Sequence, residues 1–216
     1  MNVLSQLIPL GHPNRPGTKL TALKALVFHY TANDSPEMGD TLNAKWFARK
    51  YFTGQDGKIY EKDTKTPFGY GSTQIIADQD SVTMAIPTDE VAWGCGDKHM
   101  LPWTPEWKGQ QHAAKLIFNN KQNYQSISIE ICNNADWDMA TYNAAAWAID
   151  FLKEKELKPN LRKSLSPQEF IGPIPEGEIL LLRHYDVTGK MCPAPFVRYT
   201  ISWVKFLNII LEGVLK

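Results

Sequence analysis

The sequence predicts an α/β fold: a single domain with a central, mixed β-sheet flanked by helices. Three observations carry that expectation. Short apolar runs of strand length recur along all 216 residues. They are interleaved with segments of helical period, the pattern of layered α/β architecture. No hinge, internal repeat or low-complexity tract divides the chain, so residues 1–216 are expected to form one unit.

The elements follow in order. Residues 10–19 are rich in turn formers and lead into LKALVFHYT (23–31), a compact strand. On it Val27 and His29 share one face while Leu26 and Phe28 share the other. TLNAKWFARKYF (41–52) predicts a helix, and TGQDGKIYEKDTK (53–65) a turn and short hairpin. STQIIAD (72–78) and VTMAIP (82–87) are short β-rich runs joined by QDS, a second hairpin signal, and residues 92–109 are loop-like with three Trp. SISIEIC (126–132) is the cleanest strand: Ile127, Ile129 and Ile131 alternate with Ser126, Ser128, Glu130 and Cys132. Residues 138–159 predict a helix with Asp138 as N-cap and Pro159 as its stop. The stretch 158–178 holds four prolines and predicts an inserted loop. EILLLRHY (178–185) predicts a strand, and 199–215 a C-terminal packing helix.

Bulk properties exclude some classes. Twenty-three basic residues balance twenty-three acidic ones, which gives no electrostatic reason for a nucleic-acid partner. Three cysteines do not make a disulfide framework and fit burial or metal ligation better. The opening residues carry no basic region followed by an apolar core, and no apolar run reaches the ~18 residues of a membrane span. The chain is therefore expected to be made in the cytoplasm, without a signal peptide and without stable membrane insertion.

Three residues have the chemistry of a metal site. His29 and His184 each lie near a strand end, and the VTGKM turn can carry Cys192 back toward His184. A catalytic zinc site uses three N or S ligands and leaves a fourth position for water. From spacing alone this reading competes with ordinary packing, because H-x7-C is not a specific signature and no H-E-x-x-H is present. Glu130 likewise reads either as a site carboxylate or as a solvent-facing one.

Four stretches occur together in order: VFHYTAN (27–33), AWGCGD (92–97), SISIEICNN (126–134) and RHYDVTGKMCP (183–193). Together they resemble the N-acetylmuramoyl-L-alanine amidases of phage endolysins, prophages and Bacillus-like cell-wall hydrolases, whose fold is shared with T7 lysozyme and the peptidoglycan recognition proteins. The resemblance covers about residues 5–212 apart from 158–178. It implies a Zn2+ ion held by His29, His184 and Cys192, with Glu130 as catalytic carboxylate and Lys190 facing the oxyanion. Trp93 falls near the substrate groove. Gln74 stands where many relatives carry a His, which assigns it to the groove in that residue's place.

The implied activity is cleavage of the amide between N-acetylmuramic acid and L-alanine in peptidoglycan, by an endolysin released to the wall through a holin. No separate wall-binding domain is seen. Two other readings remain at this point: a peptidoglycan-binding module without catalysis, and a metal-free peptidase using Cys95 with His99 or His112. Glu90 reads as groove rim, Trp103 as a stacking or packing residue, and Lys158, Arg162 and Lys163 as surface or wall-polymer contacts.

Overall fold

Six consecutive residues of almost wholly apolar character, Ala25–Tyr30, form the strand around which the sheet is organised (β2); its first five residues are buried. The computed structural model describes residues 2–33, 35, 37–96, 116–133, 136–161, 164 and 173–216. Strand β7 (Ser126–Ile131) lies on one side of β2 and strand β9 (Glu178–Arg183) on the other, both parallel to it. Continuous burial of all three is what parallel strands covered on both faces require.

Beyond β7 come β5 (Ile75–Ala77), parallel to it, then β6 (Val82–Met84), antiparallel to β5, and β1 (Val3–Ser5) at the edge. Strand β8 (Lys158–Pro159) closes the opposite edge beside β9. The seven-stranded order is β1-β6-β5-β7-β2-β9-β8, a mixed sheet. Strands β3 (Tyr51–Thr53) and β4 (Ile59–Glu61) pair separately as an antiparallel hairpin.

Period-2 alternation divides the sheet into two faces. Leu26, Phe28, Ile127, Ile129, Ile131 and Leu181 pack against helix α2 (Trp137–Glu154) and helix α5 (Thr200–Leu215). Phe28 meets Trp203 and Phe206 edge-on, with ring centroids 5.9 and 4.9 Å away respectively. Ala25, Val27, Leu180 and Leu182 face the other way, toward Cys95, Ile117 and Phe118. This second face carries His29 and Glu130 to the C-terminal edge of the strands. Three shorter α-helices are also described: α1 (Asp40–Phe47), α3 (His184–Thr188) and α4 (Ala194–Arg198). Among the described residues no helix is long and apolar enough to cross a membrane.

Four local expectations change. The run 41–52 is not one helix: it ends at Phe47, and Tyr51–Thr53 becomes strand. Cross-strand pairing explains the break, because Phe52 stacks on Tyr60 at 5.5 Å and Arg49 turns aside to pair with Glu61 at 2.8 Å. Helix α2 starts one residue before Asp138, and its cap is Asp136, whose carboxylate accepts the Met139 N–H at 3.0 Å. Asp136→Ala should therefore lower stability by about 1 kcal/mol in urea unfolding, and Asp138→Ala by less. Residues Lys158–Pro159 are strand rather than loop, at a sheet edge where proline is tolerated; Arg162 and Lys163 lie outside the described residues. Strand β9 stops at Arg183, so His184 opens a helix.

Candidate metal centre

Parallel strands end on one edge, and in open α/β sheets that edge is where ligands bind. The register pairs His29 with Glu130 across β2 and β7, and Phe28 with Arg183 across β2 and β9. The next residue, His184, therefore falls beside His29. Their Nδ1 atoms are 3.1 Å apart.

Helix α3 then reverses the chain. Its C-cap Gly189 has φ 81°, a left-handed conformation that a side chain would strain, and its N–H donates to the Tyr185 carbonyl. The Tyr185 N–H donates to the Cys192 carbonyl at 2.8 Å, which closes the turn. Cys192 Sγ arrives 3.9 Å from His29 Nδ1.

The three donor atoms lie within 4.8 Å of one another, and all three residues are buried. A tetrahedral zinc ion, with bonds of about 2.0 Å to nitrogen and 2.3 Å to sulfur, separates its ligands by about 3.3 Å for N–N and 3.5 Å for N–S. The observed 3.1 and 3.9 Å fit that group. Charge state fits as well. Burial, with repulsion from Lys190 and from any proton taken up by His184 added, holds the His29 imidazole well below its ordinary range. Burial and Lys190 push His184 down to about 3. Both rings are thus neutral, with lone pairs available. Burial, then the nearby Glu130 carboxylate, pushes the Cys192 thiol up, a cost that a divalent cation holding the thiolate would reverse.

These shifts predict how the metal-stripped protein responds to pH. Two imidazoles that stay neutral when folded take up protons when unfolded, so their contribution is present above pH 6.5 and is lost as pH falls toward about 3. Glu130 acts in the opposite sense: burial, opposed by Lys190, raises its carboxyl from 4.5 to about 7, so its contribution is lost as pH rises through that range. Between pH 6.5 and 4.5 the two imidazoles outweigh the one carboxyl by one proton. Stability should then fall on acidification across that range. Urea midpoints of the chelated protein from pH 7 to pH 5 measure it; a flat profile would refute the assignment.

The donors open into a cavity of about 620 Å³ that Glu130, Lys190 and Trp93 also line. Glu130 Oε2 has no hydrogen-bond partner among the described residues and is free to receive one from a ligand. Trp93 is held in the wall by its indole N–H, which donates to the Pro13 carbonyl at 3.1 Å, and by its backbone N–H, which donates to Ser72 Oγ.

Gln74 is a correction. It is fully buried, its amide donates to the Glu90 carbonyl, and its side-chain oxygen accepts the Ser128 N–H, both at 2.8 Å. With both ends satisfied by backbone, it braces the strands behind the cavity instead of reaching a substrate. Glu90 is bound by Arg15 at 2.8 Å in a partly buried ion pair and is not part of the cavity lining. Cys95 is wholly enclosed, and burial pushes its thiol up to about 11, which removes the thiolate that a nucleophile needs. His99, Trp103 and His112 lie outside the described residues.

Sequence reasoning missed Asn43, Trp46 and Tyr70, which line the same cavity. A signal existed for two of them: Asn43, Trp46 and Phe47 stand at i, i+3 and i+4 on α1, one helical face.

Comparison with known proteins bears on the family and the fold. Residues 19–195 match the family described as N-acetylmuramoyl-L-alanine amidase. The amidase BlyA of Bacillus subtilis (strain 168) is 26% identical over 201 residues, covering 93% of this chain and 44% of BlyA. CwlL of Bacillus licheniformis is 28% identical over 200 residues, covering 91% of this chain and 43% of CwlL. The chain therefore spans under half the length of these curated relatives. The solved catalytic domain of XlyA shares the fold, with a TM-score of 0.63, 24% identity, and coverage of 97% of this chain and 99% of that one. Since the family match extends over most of its length, the chain belongs to the N-acetylmuramoyl-L-alanine amidase family.

Proposed function

We propose that the chain is a zinc-dependent amidase that hydrolyses the bond between the lactyl group of N-acetylmuramic acid and L-alanine in peptidoglycan. His29, His184 and Cys192 would hold the ion. The observation that carries the reading is the convergence of three buried N and S donors beside a cavity that also holds a free carboxylate and an ammonium group.

Zinc bound there would polarise the scissile carbonyl and bring a water toward neutral pKa. The remaining work falls to this chain's own side chains. Glu130, with a carboxyl near 7, is matched to accept a proton from water and return it to the leaving amine. Lys190 lines the same cavity, where its charge offsets that of a developing oxyanion. Trp93, Trp46 and Tyr70 give the cavity apolar walls on which sugar or peptide can pack.

The setting proposed is a phage or prophage endolysin, made in the cytoplasm and brought to the wall through a holin. The amidase relatives support the substrate. The enclosed Cys95 speaks against a thiol peptidase.

Digestion of purified cell walls with and without chelator tests the proposal. New L-alanine amino ends and free lactyl groups should appear, vanish on chelation and return with zinc. Unchanged digestion under chelation would overturn the zinc reading. Wall binding with no new amino ends would favour a binding module.

A further inference from the structure

We propose that Cys95 is the positioning residue for His29, its sulfur accepting the Nε2–H of that imidazole so that Nδ1 is the atom offered to a metal. The inference rests on the zinc reading above and deepens it. A neutral imidazole carries one ring proton, and the nitrogen without it is the ligand. His29 Nδ1 faces His184 Nδ1 and Cys192 Sγ, so the proton belongs on Nε2. Cys95 Sγ lies 3.6 Å from Nε2, on the far edge of the ring from those donors.

The surrounding groups give a consistent donor order. Ser128 Oγ is 3.3 Å from the sulfur, placed to donate to it. The thiol hydrogen is directed to Ser126 Oγ at 3.7 Å, and Ser126 in turn donates to the Gln122 carbonyl at 2.7 Å. Every proton in the chain from His29 to Gln122 thus has an acceptor.

Cys95 sits in a loop, but the loop is pinned at its backbone. Its N–H donates to Asn123 Oδ1 at 2.8 Å, and its carbonyl accepts from Gln122 Nε2 at 3.1 Å. Gly94 presses the loop onto β7 so closely that a Cβ there would collide with Ser128 Oγ. The second histidine has no such support: His184 Nε2 has no hydrogen-bond partner among the described residues. His29 is therefore the braced ligand of the pair.

Zinc affinity, read by competition with a chromophoric chelator, tests the proposal on wild type, Cys95→Ala and Cys95→Ser. Cys95→Ala is expected to weaken zinc binding by about 10–100-fold, the usual effect of losing an outer partner. Cys95→Ser should recover most of that loss, because a hydroxyl accepts the same N–H. Alanine and serine leave nearly the same hole, so a packing role would weaken both alike. Equal weakening, or wild-type affinity in Cys95→Ala, overturns the proposal while leaving the zinc reading intact. Absence of zinc binding in the wild type overturns both. Should Cys95→Ala fail to fold, 15N spectra of the zinc-loaded wild-type ring decide: a proton on His29 Nε2 is expected, and zinc on Nε2 refutes it.

Discussion

Cys192→Ser should abolish zinc retention and take wall hydrolysis to background. The substitution keeps size and shape at a buried position while replacing a thiolate donor by a hydroxyl that stays protonated. Loss of one of three donors should exceed the roughly 10–100-fold that outer partners contribute to affinity. The same holds for His29→Ala and His184→Ala, though serine at 192 disturbs packing least. Elemental analysis of the purified variant, set beside amino-end release from walls, measures both effects. Thermal unfolding gives an independent reading: ligand present at 100 times its dissociation constant stabilises by about 2.7 kcal/mol, and zinc should confer none of this on the variant. Full activity in metal-free Cys192→Ser would end the metal hypothesis.

Glu130→Gln should separate proton transfer from metal binding. The amide is nearly isosteric with the carboxyl, and Glu130 is not one of the three clustered donors, so zinc content should match wild type. Positioned acid–base groups contribute about 100- to 10,000-fold, and kcat should fall within that range with KM little changed. Lys190→Met adds a check through the sign of its effect. The lysine charge opposes the rise of the Glu130 carboxyl, so its removal should move the acid limb of the kcat/KM profile to higher pH. A Glu130→Gln enzyme with wild-type kcat would leave the carboxylate a bystander.

Short-range physics made part of this site legible. Period-2 alternation places His29 on the Val27 face of its strand and Glu130 opposite the Ile127, Ile129 and Ile131 side chains, and both assignments need no structure. Register is another matter. Nothing local says that His29 stands opposite Glu130, and a slip of one residue would send every side chain of a strand to the other face. Gln74 shows the same limit from another side. Its two partners, the Glu90 carbonyl and the Ser128 N–H, come from separate segments, so its bracing role has no sequence signature. The misplaced end of α1 has a comparable cause: Tyr51 and Phe52 continue a helical pattern locally, but pairing with β4 outweighs it. Even the cap of α2 turned on which of two nearby aspartates reaches an N–H.

The central place of β2 has a consequence for synthesis. Its site histidine meets partners 155 and 163 residues further along the chain. A ribosome making this protein produces His29 early and must then complete most of the polypeptide before the other two donors exist. Fast local structure cannot assemble the centre, because such distant pairings form slowly. On the zinc reading proposed above, a nascent chain lacks the complete donor set until translation has passed residue 192.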